Sequence, residues 1–247
     1  MDRPSGLSEI DAWIYGRQHN QSEEDAAQLQ ALFEKNLRYY RALLASRLPA
    51  DRSGEILDVP CGQGGMLYTL QRLGYQNVTG YDLDTQRLAV GRKLGLPVFE
   101  GNVFEVLERR PDASLACILS MDFLEHVEKI DAVRFLELAL AKLAPGGRLL
   151  VRTPCADAPT GASHIFNDMT HKWAATSGVL RWLLGAVGFE SVEIFGEHPS
   201  TAMAHGALRV PLFGMVRLLV RALTLALGVE NPRVLSPSMW GLGCKPR

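Results

Sequence analysis

A glycine-rich turn offers the first chemistry in this sequence. In ILDVPCGQGG (56–65), an apolar run ends in a turn that carries Gly62 and Gly64 and leads into a helical pattern. Glycine lets the backbone approach a ligand where a Cβ would collide, and the N–H groups at the start of a helix favour a carboxylate or phosphate. The alternative is a tight strand-to-helix turn without a ligand. The glycines alone leave both interpretations open.

Polar residues recur after the next apolar runs. Asp82 lies twenty residues beyond Gly62, where an open α/β nucleotide site places the acid that binds two ribose hydroxyls. Asn102 follows the third run, where a side-chain amide can meet an adenine edge, and SMDFLEHV (120–127) ends the fourth. A P-loop is excluded because no Gly-Lys-Ser/Thr follows the turn, and the dinucleotide fingerprint is absent because position 67 is leucine.

Elements of alternating type would position these residues. Short apolar runs bounded by glycine or polar residues predict strands, and runs with helical spacing predict helices. The predicted strands are 55–59, 77–83, 97–102, 114–121 and 148–154, and the predicted helices are 65–74, 84–95 and 130–147. Strands that alternate with helices indicate an α/β fold with a doubly wound, mostly parallel sheet.

The pattern changes after residue 154. A polar loop that carries His164 and His171 precedes a helix, TSGVLRWLLGAVGF, and two strands, SVEIFGE and SMWGLGCK. Between those strands, ALRVPLFGMVRLLVRALTLALGVENP predicts an apolar helix with Arg217 and Arg221. We expect this helix to be buried core or the surface of a homodimer rather than an element on a membrane surface.

The start of the chain predicts a helical segment of its own. Ser22 opens SEED, a variant of the capping box, and the 26 residues that follow Ser22 (EEDAAQLQALFEKNLRYYRALLASRL) have helical spacing. We therefore expect an N-terminal helical segment over 1–53 and the main domain over 54–247, with an insertion at about 205–232.

Composition narrows the class of protein. Lys and Arg total 26 against 27 acids, so the net charge of −1 gives no basic excess for binding nucleic acid. We see no secretory signal at the start and no apolar stretch of the roughly 20 residues that a membrane helix needs. The four cysteines form no CxxC pair, so neither a disulfide framework nor a zinc site is expected. These features predict a cytoplasmic protein of one domain.

Five motifs carry a resemblance to a known family. DVPCGQG, GYDLD, the Gly-Asn-Val of EGNVFEV, the LEHV block and LAPGGRLLV resemble, in order and spacing, the class I S-adenosylmethionine-dependent methyltransferases. The pattern over 54–154 is most similar to a small-molecule group that includes ubiquinone-pathway O-methyltransferases and enzymes of polysaccharide clusters. The resemblance implies a Rossmann-like sheet of seven strands with an antiparallel last strand. Pro60 replaces the first glycine of the family turn, and Ala116 replaces an acid of the fourth strand.

The resemblance also implies a binding site for S-adenosylmethionine. The residues implied along its methionine part and sulfonium are Asp58, Cys61, Gly62, Gly64, Ser120, Met121 and Asp122. Those implied around its ribose and adenine are Asp82, Leu83, Asn102 and Val103. In this interpretation Asp82 holds the ribose hydroxyls, Leu83 presses on the adenine and Asp58 shapes the turn.

Histidines supply the candidate catalytic groups. Methyl transfer is an in-line displacement, so alignment of the acceptor carries much of the catalysis, and a hydroxyl acceptor also benefits from a base such as histidine. The candidates are His126, His164 and His171, with Asp168 available to orient one of them. We favour His171, because DMTH leads directly into the next helix. The alternative for His126 is a helix-start residue in polar contacts.

Two further groups of residues have open interpretations. Asp122, Glu125 and His126 fall at i, i+3 and i+4 and could bind a divalent cation. A solvated helix start explains them as well, and we predict no metal. Tyr15 and His19 precede the long helix; the N-terminal segment closes over the cofactor in similar enzymes, so these two residues line the acceptor pocket or belong to a surface leader.

The predicted function is methyl transfer from S-adenosylmethionine to a hydroxyl of a small molecule, with a sugar or sugar-like natural product as the first choice. A phenolic O- or C-methyltransferase is the alternative. An inactive methyltransferase fold that serves as a binding subunit is less favoured, because Gly62, Gly64 and Asp82 are intact. A nicotinamide oxidoreductase is the third class.

Overall fold

A seven-stranded sheet forms the centre of the protein, whose computed structural model describes residues 26–197 and 206–247. The strands are β1 Ile56–Asp58, β2 Val78–Asp82, β3 Val98–Glu100, β4 Leu115–Met121, β5 Leu143–Pro154, β6 Glu190–Gly196 and β7 Ser238–Cys244. Their order is β3-β2-β1-β4-β5-β7-β6, and only β7 is antiparallel to its neighbours. The predicted doubly wound sheet with an antiparallel last strand is confirmed.

Eight helices accompany the sheet in the described residues. They are α1 Ala26–Leu44, α2 Gly65–Arg72, α3 Thr85–Lys93, α4 Val103–Glu108, α5 Lys129–Lys142, α6 Gly161–Phe166, α7 Ser177–Val187 and α8 Gly206–Leu227. A single 3-10 turn, Leu124–His126, follows β4. The predicted capping box at Ser22, together with Tyr15 and His19, lies outside the described residues.

Both faces of the sheet are covered, because its central strands carry apolar side chains on both faces. On β4, Cys117 and Leu119 pack into one core, whereas Ile118 between them packs into the other, and all three are fully buried. A strand that is buried on both faces is a continuous apolar run rather than an alternating one. The run over 115–121 therefore identifies a central strand.

Helix α1 packs on α2. Phe33 is buried, and its ring lies 5.6 Å from that of Tyr68. After α1, Arg47 forms an ion pair with Glu193 of β6 at 2.5 Å. These contacts attach the N-terminal part of the described chain to α2 and to the edge strand β6, while the predicted domain division at 53/54 stays a prediction.

Two short helices and one strand start differ from the sequence-based expectation. The six-residue helices α4 and α6 lie where no helix was predicted. Asn102 stabilises the start of α4, because its Oδ1 accepts a hydrogen bond from the N–H of Phe104 at 2.9 Å. Helix α5 ends at Lys142 rather than at 147, since the chain from Leu143 already pairs with β4. Pairing with neighbouring strands overrides the helical pattern there.

Helix α8 contradicts two expectations. At 22 residues it is long and apolar enough to cross a membrane by length and composition, so the statement that no apolar stretch reaches such a length is wrong. Its prediction as buried core is also wrong, because only Gly206 of its residues is buried within the described part of the chain. Hydropathy alone predicts burial, but the side chains of α8 are mostly exposed in the described part of the chain.

Candidate active site

A cavity of about 1120 Å³ opens where β1, β2 and β4 end. Ligands bind at this carboxyl edge in open α/β sheets. The predicted site residues that line it are Asp58, Cys61, Gly62, Asp82, Leu83, Val103, Met121, Asp122, His126, His164 and His171. The volume exceeds the roughly 300–1,000 Å³ of most single-ligand pockets, so there is room for two ligands side by side.

The glycine turn forms one wall of the cavity. Gly62 and Gly64 have φ angles of 54° and 86°, a backbone conformation that favours glycine. A Cβ on Gly64 would lie 2.8 Å from Leu96 Cδ1, whereas a Cβ on Gly62 would meet nothing nearer than Arg87 Nη1 at 3.8 Å. Gly64 is therefore required by packing, and Gly62 keeps the backbone open towards the cavity.

Asp82 links the end of β2 to that turn. Its Oδ2 accepts a hydrogen bond from the N–H of Gly62 at 2.7 Å, and its Oδ1 accepts one from the N–H of Asp84 at 2.8 Å. An ionised carboxylate offers about four lone-pair positions, so two remain for a ligand. Two hydroxyls on adjacent carbons would match the two oxygens.

Asp58 forms the floor beneath the turn. It is 2% exposed, and its Oδ1 has no hydrogen-bond partner among the described residues. Burial, together with the charge of Asp82, raises the pKa of Asp58 well above its ordinary value. A buried acceptor without a partner suits a positively charged donor in the cavity, because such a donor would supply the missing hydrogen bond.

Three predicted cofactor residues lie outside the cavity lining. Gly64 precedes α2 as its N-cap, Asn102 uses its Oδ1 to cap α4, and Ser120 is 1% exposed within β4. Each of them shapes an element that borders the cavity. Their direct contact with a cofactor stays a prediction.

A chain of hydrogen bonds joins three polar residues at the other end of the cavity. The hydroxyl of Thr170 lies 2.8 Å from His126 Nδ1 and 2.6 Å from Asp168 Oδ1. A carboxylate only accepts, so the single hydroxyl proton points to Asp168, and Thr170 accepts the proton of His126 Nδ1. This partner assignment puts the lone pair of the neutral His126 ring on Nε2.

His171 packs edge-to-face against His126, with the ring centroids 4.7 Å apart. Its Nδ1 lies 2.7 Å from the carbonyl oxygen of Ile165, which can only accept, so Nδ1 carries a proton. Its Nε2 lies 3.8 Å from Asp168 Oδ2. The structure thus brings the two predicted histidines together. His164 lies apart from them, with Nε2 3.2 Å from the hydroxyl of Ser238.

Glu125 is buried beside the histidine pair. It is 1% exposed; its Oε2 accepts a hydrogen bond from Thr153, and its Oε1 has no partner among the described residues. Burial and the charge of Asp122 raise its pKa to about 8. One ligand atom each from Glu125, His126 and His171 lies within 4.8 Å of the others, so this trio differs from the cation-binding trio considered from the sequence.

Asp122 is not part of the trio that the structure forms, because its carboxylate pairs with Arg152. The guanidinium of Arg152 contacts Asp122 and also donates to Glu197 Oε1 at 2.6 Å and to the hydroxyl of Ser238 at 3.0 Å. Asp122 has a φ of 50°, which turns the chain at the end of β4 towards this arginine. The pair fixes the loop between β4 and the 3-10 turn.

Some lining residues were not singled out from the sequence. Arg152, Thr170, Tyr40 and Phe33 all line the cavity. An arginine inside the apolar run RLLVRTP is a signal that could have revealed Arg152, because a charge in a buried strand needs a partner. No comparable signal marks Thr170, whose role depends on His126, 44 positions earlier.

Comparison with known proteins identifies the family of this chain. A family model described as a methyltransferase domain matches residues 28–194. No curated protein sequence matches the chain. Among solved structures, a SAM-dependent methyltransferase from Archaeoglobus fulgidus is similar with a TM-score of 0.63 and 17% identity, covering 95% of this chain and 99% of that one.

Two further structures have the same fold. A Thermotoga maritima SAM-dependent methyltransferase, described as a possible histamine N-methyltransferase, has a TM-score of 0.62 and 17% identity, with coverage of 95% and 99%. A Haemonchus contortus phosphoethanolamine N-methyltransferase 2 in complex with S-adenosyl-L-methionine has a TM-score of 0.58 and 13% identity, with coverage of 99% of this chain and 62% of that one. Identities this low show the fold alone.

Proposed function

The chain belongs to the class I S-adenosylmethionine-dependent methyltransferases, and we propose that it methylates a hydroxyl group of a small polar acceptor, with a sugar as the first choice. S-adenosylmethionine supplies an electrophilic methyl group on a sulfonium. The observation that carries the proposal is the Asp168–Thr170–His126 chain of hydrogen bonds at the cavity wall. Such a chain orients a base, and a hydroxyl needs one more than an amine does.

The residues of the cavity fit the cofactor. Asp82 keeps two acceptor positions for ribose hydroxyls, and the Oδ1 of Asp58, which has no partner among the described residues, suits the ammonium of the methionine part. The open backbone at Gly62 leaves room beside them. The charges of Asp82 and Asp122, which raise the pKa values of Asp58 and Glu125, favour a cationic ligand in this space.

We assign the base to His126 and a supporting role to His171. Nε2 of the neutral His126 ring takes the hydroxyl proton, while Thr170 and Asp168 hold its Nδ1–H and stabilise the charged ring. Nε2 of His171 lies 3.8 Å from Asp168 Oδ2, so this nitrogen faces that carboxylate. The sequence favoured His171; the orientation of the rings supports exchanging the two roles.

A polar acceptor matches the remaining lining. Asn36, Arg152, Asn167 and His164 are among the lining residues. Hydrogen-bonding side chains of this kind bind several hydroxyls, whereas a phenolic ring would call for an apolar slot. Tyr40 and Phe33 of α1 and Phe123 after β4 add aromatic surface to the lining.

The test measures binding and turnover separately. Calorimetry with S-adenosylmethionine and its demethylated product comes first, and labelled methyl transfer to panels of sugars, nucleotide sugars and phenols follows. We expect cofactor binding at micromolar levels and label in the sugar panel. Cofactor binding with label only in phenols would refute the choice of acceptor, and folded protein that binds no cofactor would refute the assignment of this cavity.

Variants of the two histidines test the base. His126→Ala should lower kcat by roughly 10²–10⁴-fold and remove the rise of the rate with pH through the neutral range, with cofactor affinity nearly unchanged. His171→Ala should lower kcat less and keep that rise. Phe166→Ala is the matched control, because Phe166 lies on the adjoining helix α6, is 80% exposed and does not line the cavity. Parent-like turnover of His126→Ala would contradict the assignment.

A further inference from the structure

Helix α8 presents an apolar face to solvent. Leu208, Leu212, Met215 and Leu219 lie at i, i+4, i+7 and i+11, which is one face of a helix. Their exposure ranges from 48% to 67%. Soluble monomers rarely expose a contiguous apolar surface of this kind, and where they do it marks a contact with a partner or a membrane.

The opposite face of α8 is basic. Phe213, Arg217, Arg221 and Thr224, at i, i+4, i+8 and i+11, lie on the other side of the helix. The two arginines line a second cavity, of about 280 Å³, together with Arg233 of the segment that follows. Arg209 adds a third arginine to α8, and the helix contains no Asp or Glu.

The path of the chain prevents α8 from spanning a bilayer. The N–H of Glu197, just after β6, donates to the hydroxyl of Ser236, just before β7, at 2.8 Å. Both ends of the segment that contains α8 therefore lie at one place. At 1.5 Å per residue the 22-residue helix is about 33 Å long, which matches the hydrocarbon thickness of about 30 Å.

A spanning α8 would force the ten residues from 228 to 237 to return through hydrocarbon as an irregular chain. Their unpaired backbone groups would be too costly there. Arg217, near the middle of the helix, would also lie at the bilayer centre, which is unfavourable for a charge. A helix parallel to the membrane surface avoids both costs.

We propose that α8 lies in the plane of an anionic lipid bilayer. Its face with Leu208, Leu212, Met215 and Leu219 enters the acyl-chain boundary, and Arg209, Arg217, Arg221 and Arg233 contact the lipid phosphates. Apolar burial and electrostatic attraction act together in helices of this kind.

The charges favour lipid over a second copy of the chain. A dimer through the Leu208–Leu219 face would leave Arg217 and Arg221 on the far side of each helix, where α8 offers no acidic residue to neutralise them. An anionic surface supplies the opposite charge along the whole helix.

The chain segment that carries α8 starts beside the main cavity. Glu197, the last described residue before α8, accepts a hydrogen bond from Arg152 in the lining of the main cavity. The docking segment is therefore linked through Glu197 to that lining.

Vesicle co-sedimentation of the full chain tests the proposal. The parent protein should bind vesicles of phosphatidylcholine with phosphatidylglycerol, bind phosphatidylcholine alone weakly, and lose affinity as salt rises. Arg217→Gln with Arg221→Gln should weaken binding to the anionic vesicles by about tenfold to thirtyfold. Leu212→Glu with Leu219→Glu should weaken binding to both kinds of vesicle.

Controls separate docking from general effects. Ile130→Glu places the same charge on a leucine-sized side chain that is 75% exposed on α5, and it should leave vesicle binding unchanged. Sedimentation velocity of the parent gives the oligomeric state without lipid.

Two outcomes would overturn the proposal. In the first outcome, the parent protein does not bind anionic vesicles and is a dimer, which Leu212→Glu with Leu219→Glu makes monomeric. The apolar face of α8 would then bind a second copy of the chain. In the second outcome, the parent protein is monomeric and does not bind the vesicles, and α8 would then have no membrane role. Neither outcome involves turnover, so both are independent of the proposed acceptor.

Discussion

Asp82 supports the glycine turn and is also the acid that we assign to the ribose. Its oxygens hold the N–H groups of Gly62 and Asp84, and the same oxygens are the ones that we assign to the ribose. Because the turn is built on this carboxylate, cofactor binding and the shape of the turn are coupled.

Substitution of Asp82 should therefore reduce cofactor affinity strongly. A hydrogen bond to a charged group contributes about 1.5–3 kcal/mol, and 1.4 kcal/mol corresponds to tenfold. We expect Asp82→Asn to weaken binding of S-adenosylmethionine by at least about tenfold, measured by calorimetry. Glu100→Ala is the control, because Glu100 pairs in register with Asp82 but is exposed and outside the cavity lining. An unchanged dissociation constant in Asp82→Asn would place the ribose elsewhere.

The trio of Glu125, His126 and His171 raises the question of a metal. A carboxylate must be ionised to bind a cation, but burial raises the pKa of Glu125 to about 8. The Nδ1 atoms of both histidines carry protons towards Thr170 and Ile165. We expect kcat to survive dialysis against EDTA, with the metal content of the protein measured alongside. Loss of turnover that magnesium or manganese restores would contradict this expectation.

At the scale of elements, the alternation of apolar runs was enough to predict the sheet. The central strands are apolar on both faces, so their runs are long and distinct, as at 115–121. Helices α4 and α6 were missed because six residues are too few to show helical periodicity. Their starts depend on a single cap or on the preceding turn, as Asn102 illustrates.

The candidate site was predictable where it follows the ends of strands. Gly62 and Asp82 lie after β1 and within the end of β2, so the topology alone brings them together. The Thr170 contact with His126 was not predictable, because it needs the loop after β5 to fold over the 3-10 turn. For α8, hydropathy indicates apolar surroundings but cannot distinguish a protein core from lipid.

At the scale of the whole molecule, a net charge of −1 conceals an uneven distribution. Six carboxyl groups (Asp58, Asp82, Asp84, Asp122, Glu125 and Asp168) line one cavity, whereas α8 carries three arginines and no acid. The charges of Asp82 and Asp122 suit a cationic cofactor, and the basic helix suits an anionic surface. The same clustering makes the stability of the empty protein depend on pH.

Two of these carboxyl groups bind protons more tightly when the chain is folded. Burial and the charge of Asp82 raise the pKa of Asp58, and burial and the charge of Asp122 raise that of Glu125 to about 8. Between the ordinary value of 4.5 and about 8, folded Glu125 holds a proton that the unfolded chain releases. The free energy of unfolding therefore falls as pH rises through this window, and the stabilisation is fully present only below it.

Glu125→Gln should remove the part of this pH dependence that belongs to Glu125. Glutamine is neutral at every pH and keeps nearly the shape of the protonated acid, so folding no longer takes up a proton at this position. We expect the Tm of the cofactor-free parent to fall between pH 5 and pH 8.5, and the fall in Glu125→Gln to be smaller by roughly 5 °C, since about 1 kcal/mol shifts Tm by about 2–4 °C at this size. Glu137→Gln, at an exposed position of α5, should follow the parent. Parallel curves for the parent and Glu125→Gln would mean that Glu125 ionises in the folded protein as it does in the unfolded chain, and the carboxylate would then be available both to a cation and to a second proton transfer beside His126.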